Sequence, residues 1–299
     1  MHRKELMQIE DKIVHSEFHF NSHDNLSLYA QIFTAECKPK AAIIIVHGYG
    51  EHSGRYQQWA EKFVKHGYFV LAFDLRGHGL SEVRKGYRLS YYKFLKDLSV
   101  VCEKAGSLFP EIPKIIYGHG FGGNLVINYL ISGTSCLDGM IVSSPWLEAE
   151  FDIPRLKLLF GGLFKNIVPR FIIRMNIHPE DLSRDPEHVQ NIMNDPLIRH
   201  QIPIRLLFEI NAAGIRASRS IYKINLPMLV MHGTDDKITS FKASKDFVMN
   251  SSNQTTFREW AGYYHELHND IDADEVFNFV TGWLDKNFNK QVPEINPHA

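Results

Sequence analysis

The chain has 299 residues, 44% of them hydrophobic and 22% charged, with a formal net charge of −1. This is a globular composition, and a chain of this length buries about three quarters of its unfolded surface, so its core needs no disulfides. The near-neutral balance excludes a global basic field for nucleic acid and the acidic excess of a disordered chain.

Cys37, Cys102 and Cys136 are too few and too scattered for a disulfide framework or a zinc site. They read as thiols of a reducing compartment. Residues 1–11 are polar and lack the apolar stretch of a signal peptide. No apolar run reaches the roughly 18 residues of a membrane span. A cytosolic location is expected.

Residues 28–34 read as an edge strand. Residues 41–46, AAIIIV, form a continuous apolar run, as expected of a strand buried on both faces. Residues 56–65 follow with helical spacing, and residues 69–73 are a second buried strand. Residues 91–108 form a long amphipathic helix. A short strand at 114–117 leads into a helix from 121 to about 131. Further strands are expected at 140–143, 227–232 and 256–260, and an amphipathic helix at 274–288. Strands alternating with helices imply an α/β fold with a mostly parallel, doubly wound sheet of about eight strands.

Residues 146–217 break this alternation. They show no buried-strand pattern and read as helix interrupted by Pro154, Gly161, Gly162, Pro169, Pro179, Pro186 and Pro196. A segment of about 70 residues is too long for a simple loop in a compact domain. It is expected to be a helical cap inserted between two parts of a core, residues 1–145 and 218–299. Such a cap would lie over the carboxyl ends of the strands, where open α/β sheets bind ligands. Residues 151–175 carry Arg155, Lys157, Lys165, Arg170 and Arg174 among many large apolar side chains, with one acid, Asp152. That mixture suits the surface of a lipid bilayer, and it equally suits the wall of an apolar pocket.

The segment IIYGHGFGGNL, residues 115–125, runs from a strand through Gly118-His119-Gly120-Phe121-Gly122 directly into a helix. This is the frame of the nucleophile elbow G-x-S-x-G, with Gly120 where the serine belongs. A dinucleotide loop would sit on the first strand with an acid about 20 residues on, and neither condition holds. A P-loop is excluded, because no Gly-Lys-Ser/Thr follows. The other parts of an acyl-transfer site come in the order nucleophile, acid, histidine. Gly233-Thr234-Asp235-Asp236 follows a late strand, and Tyr263-Tyr264-His265-Glu266-Leu267-His268 follows the next. Asp236 is the preferred orienting acid and His265 the preferred base, with Asp235 and His268 as the neighbours to test. His265 and His268 are three apart, not four as a helical zinc motif requires, so no metal is expected. No cofactor is implied.

The loop His47-Gly48-Tyr49-Gly50 directly follows the strand AAIIIV. Acyl transfer needs backbone N–H groups aimed at a developing oxyanion. The fold takes one from this loop and one from the residue after the nucleophile, which assigns Tyr49 and Phe121. His47 and His119 are expected to support these turns by hydrogen bonding. Ser143 and Ser144 follow the next strand but sit on no elbow.

With these residues assembled, the chain resembles the monoglyceride lipases and lysophospholipases of the serine aminopeptidase S33 group, over about residues 18–288. The resemblance rests on HGYGEHSGRY (residues 47–56), FDLRGHGLSE (73–82), GHGFGG (118–123), LSRDPEHVQNIMNDPLI (182–198), HGTDDKIT (232–239) and YYHELHND (263–270). It implies an α/β-hydrolase fold and hydrolysis of a single-chain lipid ester through an acyl-enzyme on serine. Family members carry GHSMGG at the elbow, so this chain departs at Gly120 and, conservatively, at Phe121. Glycine has no atom that can attack a carbonyl, and loss of the nucleophile costs about 10⁶-fold in turnover. Two readings follow: a lipid-ester hydrolase scaffold inactive or nearly so as written, or a natural pseudoenzyme that binds acyl lipid or a protein partner.

Overall fold

The computed structural model describes residues 12–82, 89–133, 136–150, 172–251 and 254–288. Its centre is an eight-stranded sheet in the spatial order β1-β2-β4-β3-β5-β6-β9-β10. The strands are β1 (Val14–Asn21), β2 (Ser27–Thr34), β3 (Ala42–Val46), β4 (Phe69–Phe73), β5 (Lys114–His119), β6 (Gly139–Ser143), β9 (Met228–Gly233) and β10 (Thr255–Trp260). From β4 through β10 every neighbouring pair is parallel; β2 is antiparallel to both β1 and β4.

The apolar runs split their side chains between two faces with a period of two. In β3, Ile44 and Val46 join one core, and Ile43 and Ile45 the other. In β9, Met228 and Val230 face the first, and Leu229 and Met231 the second. Helices cover both faces, which is why these strands read as continuous rather than alternating apolar runs. Helices α1 (Gln57–Lys65) and α7 (Ala273–Phe288) cover the second face through Trp59, Phe63, Phe277 and Leu284. The first face is covered by α2 (Tyr91–Leu108), α3 (Phe121–Ile131), α5 (Ile204–Ser220) and α6 (Phe241–Met249).

Two expectations need correction. Residues 28–34 are not at the edge: β2 is paired on both sides, and the outer strand is β1. The segment VHSEFHFN is exposed along most of its length, so it lacks the apolar signature that marks an inner strand. The segment 146–217 is not all helix. It contains a small antiparallel ribbon of β7 (Ile172–Arg174) and β8 (Gln201–Pro203), each too short to show a period.

Residues 151–171 of that segment, with most of the basic stretch, lie outside the described residues. Its helix α4 (Pro186–Asn194) starts where the sequence permits: Asp185 caps it by accepting from the Glu187 N–H at 2.9 Å, and Pro186 occupies its first turn. Helix α5 then runs past residue 217 to Ser220 and buries Leu206, Leu207, Ile210 and Ala213 in the first core. Residues 172–203 lie over the carboxyl ends of the strands. The Arg199 N–H donates to Gly50 O at 2.7 Å, and the Glu266 N–H donates to Leu182 O at 2.8 Å. Among the described residues, no helix is long and apolar enough to cross a membrane.

Candidate active site

Four loops at the carboxyl ends of β3, β5, β9 and β10 bring Tyr49, Gly120, Asp236 and His265 together. The turn from β5 into α3 is tight enough that the glycines flanking its centre, Gly118 and Gly122, have no room for a side chain. A β-carbon on Gly122 would lie 2.1 Å from Val46 O and 2.6 Å from His47 O, backbone atoms at the end of β3 and the start of the loop after it. Gly122→Ala is therefore expected to cost about 3 kcal/mol or more, since only backbone movement can relieve the overlap. Urea unfolding checks this; a midpoint equal to that of the parent chain contradicts it.

Gly120 itself sits at φ 52° and ψ −115°, immediately before α3. Side-chain-bearing residues are strained in this region, and glycine is not. Its N–H donates to Ser143 O at 3.0 Å, and its carbonyl accepts from the Asn124 and Trp146 N–H groups at 3.1 and 2.9 Å. The backbone is thus held in the elbow shape without a serine. A β-carbon built on Gly120 points at the imidazole of His265, 3.3 Å from Nε2. A serine hydroxyl there would come within hydrogen-bond reach of that nitrogen.

The other ring nitrogen, His265 Nδ1, bonds Asp236 Oδ2 at 2.8 Å. Ser144 Oγ donates to the His265 carbonyl at 2.7 Å, which fixes the loop from below. Burial disfavours the imidazolium of His265, but the Asp236 carboxylate outweighs it, so its pKa is raised above the ordinary imidazole value. Asp236 shows the matching shift. Burial opposes its charge, yet His265 and His232 together hold the carboxyl well below the usual carboxylate range. Every oxygen of this acid is engaged. Oδ1 accepts from the N–H groups of Ile238 and Thr239 at 2.7 and 3.0 Å, and Oδ2 also takes Thr239 Oγ1 at 2.8 Å and His232 Nε2 at 3.0 Å.

Asp235 is exposed and accepts from Thr234 Oγ1 at 2.8 Å. His268 is buried and stacked on Tyr56, with ring centroids 4.6 Å apart, and burial pushes it down to about 3. Neither joins the Asp236–His265 pair. Among the described residues, no acceptor takes the N–H of Tyr49 or of Phe121. Phe121 opens α3, so its N–H has no acceptor within the helix. Both groups are available to a ligand oxygen, next to the elbow and near the positive end of the α3 dipole.

His47 ties two loops together: Nε2 accepts from the Leu75 N–H at 2.9 Å, and Nδ1 donates to Gly48 O at 2.7 Å. His119 departs from the same expectation. Its Nδ1 has no partner among the described residues, and the ring packs against His265 and His268 at 4.6 and 4.9 Å. Burial and these two neighbours hold it neutral, well below the ordinary imidazole pKa. Ser143 is fully buried, and Ser144, at φ 46°, is committed to the His265 carbonyl.

Several residues here lie in the motifs that carry the resemblance, but the sequence assigned them no role. His232 and Thr239 both bond Asp236, and His232 Nδ1 is itself held by Ser244 Oγ at 2.8 Å. A histidine one residue before the end of the otherwise apolar strand MLVMHG was the available clue. Glu51 accepts from the Gly48 N–H, from Tyr56 OH at 2.9 Å and from Arg55 at 3.1 Å, which braces the Tyr49 loop. Arg55 also forms a two-pronged pair with Glu266 at 2.7 and 3.0 Å, and His188 of α4 bonds both of them at 2.8 Å. A cavity of about 670 Å³, counting its open mouth, lies above Gly120 and His265. Trp146, Met175, Ile177, Leu182 and Ile192 make most of its wall apolar.

Residues 37–272 match the family described as serine aminopeptidase, S33. The chain belongs to this family. Within it, the chain is 26% identical over 271 residues to the monoacylglycerol lipase of Mycolicibacterium smegmatis, covering 90% of this chain and 96% of that one. It is 30% identical over 264 residues to a monoglyceride lipase homolog of monkeypox virus, covering 87% and 95%. An uncharacterized abhydrolase domain-containing protein of Dictyostelium discoideum is 31% identical over 264 residues, but the chain spans only 28% of its length. Among solved structures, the monoacylglycerol lipase of Paleococcus ferrophilus superposes with a TM-score of 0.76 at 26% identity, covering 92% of this chain and 99% of that one. The eight-stranded sheet and its flanking helices are accordingly the α/β-hydrolase fold, in its monoglyceride-lipase-like form.

Proposed function

We propose that the chain is a scaffold for single-chain lipid esters, monoacylglycerol or lysophospholipid, that turns over little or nothing because Gly120 occupies the nucleophile position. The observation that carries this reading is the His265 imidazole, held by Asp236 and aimed at the absent β-carbon of Gly120. The apolar cavity above it suits an acyl chain, and segment 146–217 serves as the cap. In this reading Tyr49 and Phe121 supply the oxyanion donors, Asp236 orients His265, and His265 is the base. The pseudoenzyme alternative is favoured by the φ of Gly120, which glycine adopts without strain: the pocket is kept and the elbow relaxed.

The three cysteines are free, which fits a cytosolic setting, and the basic, apolar residues 151–175 suit peripheral contact with a membrane. Sedimentation with phosphatidylcholine vesicles tests the latter.

Hydrolysis of 1-monooleoylglycerol tests the whole reading. The chain as written is expected to bind it and release no oleate above the His265→Ala level. Release that disappears on His265→Ala would instead establish a water attack assisted by His265. A pH profile adds a second test. His265 acts as a base only when neutral, and the Asp236 carboxylate holds its pKa above the ordinary imidazole value. In a Gly120→Ser variant, kcat/KM is therefore expected to rise with pH along a limb centred above that ordinary value. A profile already flat at pH 6 contradicts this role.

A further inference from the structure

A second cavity, about 1080 Å³ with its open side, adjoins the one above Gly120. The two share Tyr49, Ile198, Arg199 and His200 along a common wall. The far side of the second belongs to the β7–β8 ribbon, which contributes Arg174. No carboxylate of the described residues lines this branch. Neither Arg174 nor Arg199 pairs with a described carboxylate, whereas Arg55, Arg76, Arg184 and Arg205 each do. The two acids that line the first cavity, Glu51 and Glu266, are both spent on Arg55.

The backbone that carries these two arginines is anchored beside the Tyr49 loop. The Arg199 N–H is bonded to Gly50 O at 2.7 Å, and Tyr49 OH donates to Gln201 O at 2.9 Å. The Met175 N–H donates to His200 O at 2.8 Å, so the ribbon carrying Arg174 is anchored to the same wall. An ester whose carbonyl lies over Gly120 has two ways to extend. One wall is apolar and suits the acyl chain; the other presents two guanidinium groups that no carboxylate among the described residues neutralises. Guanidinium forks match the oxygens of a phosphate, and an unneutralised pair favours a dianion over a neutral alcohol.

We propose that the Arg174–Arg199 branch is a head-group site for a phosphate monoester, so that a single-chain acyl lipid phosphorylated on its alcohol side is preferred over a neutral monoacylglycerol. This rests on the lipid-ester reading of the pocket. The test is calorimetric binding of 1-oleoyl-lysophosphatidate and 1-monooleoylglycerol, both below their micelle-forming concentrations, to the chain as written. The phosphorylated lipid is expected to bind about 10-fold tighter or more at low salt, and that advantage to shrink with added salt. In the Arg174→Ala/Arg199→Ala variant the ratio of the two affinities should fall to about one. Both arginines are exposed, so the variant is expected to fold; an unchanged melting curve checks it. Equal affinities for the two lipids, or a preference that the double variant retains, overturns the head-group site and leaves the lipid-ester reading standing. If neither lipid binds, the lipid-ester reading itself fails, and the head-group site with it.

Discussion

Gly120→Ser is expected to convert the chain into an ester hydrolase, raising turnover of 1-monooleoylglycerol by up to about 10⁶-fold. The steps follow from the site. Serine Oγ attacks the ester carbon while His265 Nε2 takes its proton, and the Tyr49 and Phe121 N–H groups receive the negative oxygen. Collapse expels the alcohol, which takes the proton from His265, and leaves an acyl-serine. Water then repeats the cycle and frees the fatty acid. No rearrangement of the acid or base is needed, because Asp236 and His265 are already bonded. The gain carries a cost. A side chain at φ 52° is strained by about 1–3 kcal/mol, and its β-carbon presses on His265 Nε2 at 3.3 Å. The serine variant is therefore expected to melt a few degrees lower than the glycine chain while being far more active. A variant that is folded and silent contradicts the assignment of the site.

Asp236→Ala, made in the Gly120→Ser background, is expected to lower turnover by about 10⁴-fold. In the proposed reading, Asp236 stabilises the imidazolium that forms at the transition state and fixes which ring nitrogen carries the proton in the resting state. Its removal also takes one partner from His232, whose Nε2 bonds the same Oδ2 at 3.0 Å and keeps the Thr239 carbonyl at 3.2 Å. The loss should fall on kcat more than on KM, because the carboxylate touches His265 and not the cavity that holds the lipid. Steady-state kinetics on the purified variants separates the two. A loss below about tenfold would mean that Asp235, three atoms along the backbone and exposed, carries the role instead.

Much of this was legible in the chain. The inner strands announce themselves because helices cover both faces of the sheet, which forces unbroken apolar runs such as AIIIV. The outer strand β1 does not, since its neighbours demand nothing of its exposed side chains. The ribbon β7–β8 has three residues per strand, shorter than any period that could reveal it. At the site, Gly120, Asp236 and His265 could be named because each follows a strand in a fixed chain order. The partners of Asp236 could not. His232 precedes it by four residues and Thr239 follows it by three, and only the turn between them brings all three to one carboxylate. The Arg55–Glu266–His188 cluster joins residues 78 to 211 positions apart, a grouping that no local pattern encodes.

The state of position 120 is the heart of the matter, and intact mass measurement reads it directly. The chain as written and its Gly120→Ser variant are each incubated with a long-chain alkyl fluorophosphonate. The glycine chain is expected to keep its mass, and the serine variant to gain one alkylphosphonyl group on residue 120, with the gain abolished by His265→Ala. A glycine chain that acquires the label, or a folded serine variant that does not, would contradict a site complete but for its nucleophile.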